Sequence, residues 1–412
     1  MRKQGFTTRS LNVAFPRHDP HNALQMPVYG AIAFEFDTAE QIAANFRGEY
    51  IAHVYSRASN PTVEYFEVKM RELTGAQAVL AVTSGMAAIA DALLAIAGAG
   101  DNIISGNHLF GHTYSLMKQT LPDLGIGVKF SSLSNPGEME QLIDSNTRAI
   151  FFETVTNPQL EICDISMLAE IANRHKLVLI ADSTLTPPNV FEGGKHGVHV
   201  EVLSTTKYIS GGGTTFGGAI IDHGSFSWDA NPHTAPYFPK FGKNALIARL
   251  RKNIYRNTGG AMTAQTALMQ IAGLDLLELR VSRCFGNCMG LGKFLREHPK
   301  VARVDYPALS GNPFNNLSRK YFRGIPGTIM TFDLSSEAEC FSFMNRLKII
   351  RRATNLNDNK SLIIHPWSTI YTEFSEEERR EMGIRPTMMR LSVGIEEADD
   401  LIADMEAALE ES

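Results

Sequence analysis

The chain has 412 residues, too many for one compact core and suited to a large domain with a smaller partner. Its hydrophobic fraction of 44%, charged fraction of 20% and net charge of −5 leave no footprint for nucleic acid or an anionic membrane, so a small-molecule partner is favoured. No apolar run reaches the ~20 residues that span a bilayer, and the opening MRKQGFTTRSLNV has no apolar stretch fit for a signal peptide; a cytoplasmic protein is expected.

Residues 1–60 are mostly loop-forming, with FPRHDPHNALQMPVYG and YSRASNPT around one helical pattern, TAEQIAANF, and read as an arm laid on something else. From about residue 77, short apolar runs alternate with helical patterns. QAVLAVTSG (77–85), DNIISG (101–106), IGVKFSS (126–132), RAIFFETV (148–155), KLVLIADS (176–183), VEVLSTTKY (200–208) and FGGAIID (216–222) read as buried strands. MAAIADALLAIAGAG (86–100) and DISMLAEIANRHK (164–176) carry helical periodicity, the second with an Asp N-cap. This alternation predicts an α/β fold with a mostly parallel sheet covered on both faces. From about residue 256 the chain turns helix-rich, adds the strands VARVDYP and TIMTFDL, and closes on the helix EADDLIADMEAALEE, the pattern of a smaller α+β domain. The four cysteines, Cys163, Cys284, Cys288 and Cys340, are spread out, and only Cys284 and Cys288 stand at a helical i, i+4 spacing; they read as free thiols, with no metal site.

The stretch STTKYISGGGTTFGG (204–218) holds one lysine between hydroxyls and glycines. A dinucleotide fingerprint fails there because Phe216 stands where the last glycine should be, and a phosphate-binding P-loop fails because Gly218 takes the lysine position. What remains is Lys207 at the end of a predicted strand, with Ser204 and Thr206 two residues apart and so on one face. An amine beside two hydroxyls suits a ligand bearing an aldehyde and a phosphate, which is pyridoxal phosphate. Asp182 ends the strand KLVLIAD at the sheet edge where open α/β sheets bind ligands, and a carboxylate there can hold a pyridine nitrogen protonated. Ser84, Gly85 and Met86 open a helix, whose free N–H groups and dipole attract phosphate.

The ordered set YSRASNPT, TSGMAA, FETVTNPQL, ADST, STTKYISGGG, YPAL, SLIIHP and MRLSVGIE resembles the trans-sulfuration enzymes, the cysteine and methionine metabolism family of PLP-dependent proteins, from about residue 25 onward. The resemblance implies the type I, aspartate aminotransferase-like PLP-dependent transferase fold. It divides the chain into an arm contacting the neighbouring subunit (1–60), a PLP-binding α/β domain (61–255) and a C-terminal α+β domain (256–412). NLNDNKSLIIHPWST and the closing RPTMMRLSVGIEEADDLIADMEAAL are most similar to the O-acetylhomoserine sulfhydrylase branch. That implies homocysteine formation from O-acetylhomoserine and a sulfur donor, either sulfide or a sulfur-carrier protein, by a homotetramer. A methionine γ-lyase, a cystathionine γ-synthase or a catalytically weakened PLP-binding protein is the alternative.

Residue by residue, the resemblance makes Lys207 the Schiff-base lysine and Asp182 the pyridinium partner. Ser84, Gly85, Met86, Ser204 and Thr206 form the phosphate cup, and Tyr55 and Arg57 reach the phosphate of the neighbouring subunit. Asn157 lies near the cofactor's 3-hydroxyl, while Arg390 and Asn355 bind substrate. Arg390 offers a planar fork that meets a carboxylate bidentately. Three departures stand out. Phe110 occupies the place of the ring-stacking tyrosine, with His112 two residues on; Ser183 replaces an asparagine in ADST; and Asn355 and Asn357 stand where serine or asparagine and then glycine are common.

Overall fold

The computed structural model describes residues 4–17 and 19–411; residues 1–3 and 18 of the expected arm and residue 412 lie outside that description. Strands β1 (Ala78–Val82), β2 (Asn102–Gly106), β3 (Gly127–Ser131), β4 (Thr147–Glu153), β5 (Val178–Asp182), β6 (Val200–Leu203) and β7 (Gly218–Asp222) form one sheet in the order β1-β7-β6-β5-β4-β2-β3. Strands β6, β5, β4, β2 and β3 pair in parallel, whereas β7 runs antiparallel to both β1 and β6. The two-residue period of a strand divides its apolar run between two cores. In β4 and β5, Ile150, Phe152, Leu179 and Ala181 face one core with Leu168, Ile171 and Ala172 of the Ile165–His175 helix. Their neighbours Ala149, Phe151, Val178 and Ile180 face the other, with Ile89, Ala92 and Leu93 of the Gly85–Ile96 helix. Phe151 and Phe152 are both essentially inaccessible to water, each burial worth ~1.5–3 kcal/mol.

A second sheet holds β8 (Arg303–Asp305), β9 (Ile329–Asp333), β10 (Arg351–Arg352), β11 (Leu362–Ile364) and β12 (Met388–Ser392) in the order β10-β11-β12-β9-β8. Only β10 and β11 pair in parallel. It packs against Leu291 and Leu295 of the Leu277–Glu297 helix and Leu401 and Met405 of the Ala398–Glu410 helix. The first of these helices joins the two cores, because its opening residues Leu277 and Val281 belong to the core of the large sheet.

The helical pattern in the arm forms Ala39–Arg47, capped by the Thr38 hydroxyl, which accepts from the Gln41 N–H at 3.2 Å. The helix buries no residue, and Leu24, Ile32, Phe46 and Ile51 around it are all more than 60% exposed. A further helix, Phe6–Leu11, was not anticipated in the sequence; it is short, and Ser10 docks it by donating to Asp275 at 2.9 Å.

One strand expectation fails where it bears on function. VEVLSTTKY leaves the sheet after Leu203, and residues 205–212 turn back on themselves. Ser210 N–H donates to Thr205 C=O at 2.9 Å, and Thr206 N–H and hydroxyl are tied to the Gly217 backbone instead of to a neighbouring strand. Lys207 therefore stands in a turn beyond β6, and the alternation argument for Ser204 and Thr206 does not hold.

Candidate active site

The carboxyl ends of β4, β5 and β6 and the start of the Gly85–Ile96 helix border a cavity of about 790 Å³, closed on the far side by residues 354–356 and Arg390. Every expected site residue lines it except Tyr55 and Arg57: Ser84, Gly85, Met86, Phe110, Asn157, Asp182, Ser204, Thr206, Lys207, Asn355 and Arg390.

At the helix start, the Ser84 hydroxyl caps Ala87 N–H at 3.1 Å, and Ala88 N–H bonds Ser84 C=O. That leaves the Gly85 and Met86 N–H groups to face the cavity beside the Ser204 and Thr206 side chains, a set of donors suited to a phosphate. The opening of β7 passes so close that a Cβ on Gly218 would fall 2.1 Å from the Ser84 carbonyl oxygen, so only glycine fits there.

Lys207 is the single lysine among the lining residues. Burial, then the Arg390 guanidinium, bring its ammonium down to about 8, with Asp358 opposing the shift, so roughly a tenth is free amine at neutrality, far more than for an ordinary lysine. Its Nζ donates to Asn355 Oδ1 at 2.8 Å. Asp182 Oδ1 accepts from Thr184 N–H at 2.9 Å, and burial raises this carboxyl.

Glu153 also lines the cavity and was missed in the sequence. It ends β4 as Asp182 ends β5, and the two are paired in register, so the strand-end signal that singled out Asp182 was available for it too. Its Oε1 accepts from Phe110 N–H at 2.7 Å and its Oε2 from Asn157 N–H at 3.3 Å, tying two expected site residues together. Burial, then the Asp182 charge, push Glu153 well above the carboxylate range. Of the pair, Glu153 holds the proton and leaves Asp182 as the anion available to a cationic ring nitrogen.

Arg390, in the middle of β12, is 2% exposed, and its hydrogen-bond partners are neutral: Asn157 Oδ1 at 3.2 Å and the carbonyls of Thr354 and Asn355 at 3.0 and 3.2 Å. Its Nε is buried with no hydrogen-bond partner among the described residues. Burial lowers the guanidinium to about 10. A buried cation with an unused donor facing a cavity is a place for an anion.

Phe110 faces the cavity with its ring 5.0 Å from that of His112, edge to face. Tyr55 and Arg57 lie on the exposed arm instead. Residues 56–58 form a turn, and the Arg57 guanidinium sits over the Tyr55 ring at 5.5 Å and donates to Arg256 C=O at 2.8 Å. Asn357 adopts a left-handed φ of 55°, the conformation that glycine and asparagine tolerate best, which accounts for the Asn-for-Gly departure.

An amine, a carboxylate for a ring nitrogen, an aromatic face and a phosphate-sized set of donors meet in one cavity, and the donor set fits pyridoxal phosphate. Residues 7–410 match the family of Cys/Met metabolism PLP-dependent enzymes. The chain belongs to that family. It is 34% identical to the O-acetyl-L-homoserine sulfhydrylase of Corynebacterium glutamicum, over 98% of this chain and 96% of that one. It is also 33% identical to the L-methionine gamma-lyase of Pseudomonas putida, over 99% and 98%. Among solved structures, an O-acetylhomoserine (thiol)-lyase assigned in Campylobacter jejuni superposes with a TM-score of 0.93 at 33% identity, covering 99% of this chain and all of that one, and carries a pyridoxyl-lysine phosphate. The O-acetylhomoserine sulfhydrylase of Wolinella succinogenes gives 0.78 at 43% identity, covering 86% and 99%. The α/β fold with its separate smaller sheet, the PLP dependence and the family expected from the sequence are all borne out.

Proposed function

We propose that this family member is an O-acetylhomoserine sulfhydrylase, replacing the acetoxy group on the γ carbon with sulfur to form homocysteine in methionine biosynthesis. The names of its relatives support that reading, and the observation that carries it is Phe110. The cavity's aromatic wall has no hydroxyl, and a carboxylate leaving group does not need one.

In this reading Arg390 takes the substrate α-carboxylate through its unused Nε, with Asn355 beside it. Gly85, Met86, Ser84, Ser204 and Thr206 hold the cofactor phosphate; the Thr206 hydroxyl, whose one proton goes to the Gly217 carbonyl in the structure, would turn from that carbonyl to donate to it. Phe110 would offer its face to the cofactor ring, Asn157 would serve its 3-hydroxyl, and Asp182 would keep its nitrogen protonated. Pyridoxal phosphate supplies an aldehyde for the substrate amine and a ring that accepts the electrons left by the departing α proton. Lys207 would take the α proton as a general base and return protons to the carbon chain as sulfur adds.

The assembly is a homotetramer in which the arm of one subunit brings Tyr55 and Arg57 to its neighbour's phosphate. An exposed arm helix with uncovered Phe46, Ile51 and Ile32 supports this. No helix among the described residues is long and apolar enough to cross a membrane, and the four free cysteines suit a reducing cytoplasm.

The test is turnover of O-acetyl-, O-succinyl- and O-phosphohomoserine with sulfide, a thiol or a thiocarboxylated carrier protein, with product detection by mass. Homocysteine from the acetyl ester and sulfide is expected. Faster cleavage of methionine or cystathionine than replacement on any ester would move the assignment to a lyase.

A further inference from the structure

The asparagine that meets Lys207 is itself held from behind. Asn355 Oδ1 accepts from Lys207 Nζ at 2.8 Å, and Asn355 Nδ2 donates to Asp358 Oδ2 at 3.1 Å. An amide presents a carbonyl acceptor at one end and two donors at the other, and hydrogen bonding decides which way it faces. A carboxylate can only accept, so the Asp358 contact admits one orientation, with the amide NH2 toward Asp358 and the carbonyl toward Lys207. The carboxylate is itself fixed. Its Oδ1 accepts from Lys360 N–H at 3.2 Å, and its side chain is 10% exposed. The glycine loop after Lys207 leaves room for this arrangement: a Cβ on Gly213, at φ 62°, would lie 2.7 Å from Asp358 Oδ2 and 3.1 Å from Asn355 Nδ2.

We propose that Asp358 is a positioning residue that turns the carbonyl end of the Asn355 amide toward Lys207 and so favours the protonated form of that lysine. The proposal rests on Lys207 being the proton carrier of the reaction, since the contact belongs to the state in which its Nζ is a free amine. A lysine that has just taken the substrate's α proton is an ammonium, a donor only, and it needs an acceptor until it passes that proton on. Without Asp358 the amide could rotate and present NH2 groups to the ammonium. The other charged group acting directly on Lys207 is Arg390, which opposes protonation; Asp182, Glu153 and His112 line the same cavity. Asp358 and its oriented amide act against Arg390 and against burial.

The experiment uses holoenzyme treated with an alkoxyamine, which condenses with the cofactor aldehyde and leaves Lys207 as a free amine. Competitive labelling with acetic anhydride as a function of pH, read by peptide mass spectrometry, then gives the Lys207 midpoint. Asp358→Asn, which can accept or donate and so frees Asn355 to turn, is expected to lower that midpoint by ~1 pH unit. The acidic limb of the kcat profile should move the same way, and Asp358→Glu should restore most of the shift. Asn355→Ala, which leaves the loop carboxylate in place, should lower the midpoint too, and Asp358→Asn should add little to it in that background. An unmoved midpoint in Asn355→Ala, or equal shifts from Asp358→Asn with and without Asn355, would overturn the proposal. Labelling shifts as expected in a protein that turns over no O-acylhomoserine would instead sink the proposed function and leave the positioning role standing.

Discussion

Glu153 and Asp182 face each other in register at the ends of neighbouring parallel strands, two buried carboxyls of which one is held by the Phe110 and Asn157 backbone N–H groups and the other by Thr184. Glu153 titrates far above the usual range because burial and the neighbouring charge both oppose its ionisation. A group whose folded pKa is raised stabilises the fold fully below its unfolded pKa and loses that contribution as pH rises through the folded value. Glu153→Gln cannot titrate and sets an NH2 against a backbone N–H, at a cost of ~1–3 kcal/mol. The natural protein should therefore melt above the variant at pH 5, with the gap closing toward pH 9, in calorimetry of the holoenzyme. A gap that is constant or widens with pH would mean that Glu153 is ionised throughout.

Arg390 provides the second prediction. Its fork is fixed by Asn157 and two backbone carbonyls, with Nε still free, so Arg390→Lys keeps the charge but loses the planar pair of donors. Losing one charge-assisted hydrogen bond costs ~1.5–3 kcal/mol, which corresponds to a KM for the amino-acid substrate raised ~10-fold or more. The KM for sulfide should change far less. Equal effects on both substrates would place Arg390 away from the carboxylate.

How much of this was legible in the sequence depends on the range of the signal. Asp182 was readable because an apolar run ending in a carboxylate marks the ligand edge of a sheet, and the same rule would have yielded Glu153. Arg390 was half-readable. In MMRLS, Met389 and Leu391 point to the core of the small sheet and Arg390 to the opposite face, but that this face closes a cavity depends on packing between the two sheets. The turn at Ser204–Gly211 was misread as strand because its backbone bonds go to Gly217 and back within the loop, which the residue pattern does not encode. Strands β10 to β12 are short, and β11 and β12 are buried on both faces, so they lack the alternation that marks a strand.

Arg57 concerns the assembly. Tyr55 and Arg57 line no part of the cavity in their own chain, while the arm that carries them leaves Leu24 94% and Ile51 85% exposed. Light scattering should give a tetramer. Arg57→Ala should release cofactor at least ~10-fold more readily, the loss of one charge-assisted hydrogen bond, without lowering helix content. A monomer that retains cofactor would remove the basis for a shared site.

Phe110 bears on what the enzyme can cleave. Its ring can stack on a pyridine as a tyrosine would, and its backbone is fixed by Glu153, so cofactor binding does not depend on a hydroxyl. What it cannot do is pass a proton to a leaving group. Acetate departs from the γ carbon as the anion of an acid with a pKa of ~4, whereas a thiol of pKa ~8.5 gains far more from being protonated as it leaves. With the Glu153 carboxyl tied to the Phe110 and Asn157 N–H groups, Lys207 and His112 are the lining side chains that can supply that proton, the latter solvent-exposed at the cavity rim. Phe110→Tyr should therefore raise elimination from methionine and cystathionine by ~100-fold while changing replacement on O-acetylhomoserine little, a general-acid contribution at the low end of the usual range. His112→Ala in the natural protein should lower whatever thioether cleavage exists more than it lowers ester turnover. Equal gains on both substrate classes in Phe110→Tyr, or efficient methionine cleavage by the unaltered enzyme, would show that leaving-group protonation does not set its substrate range.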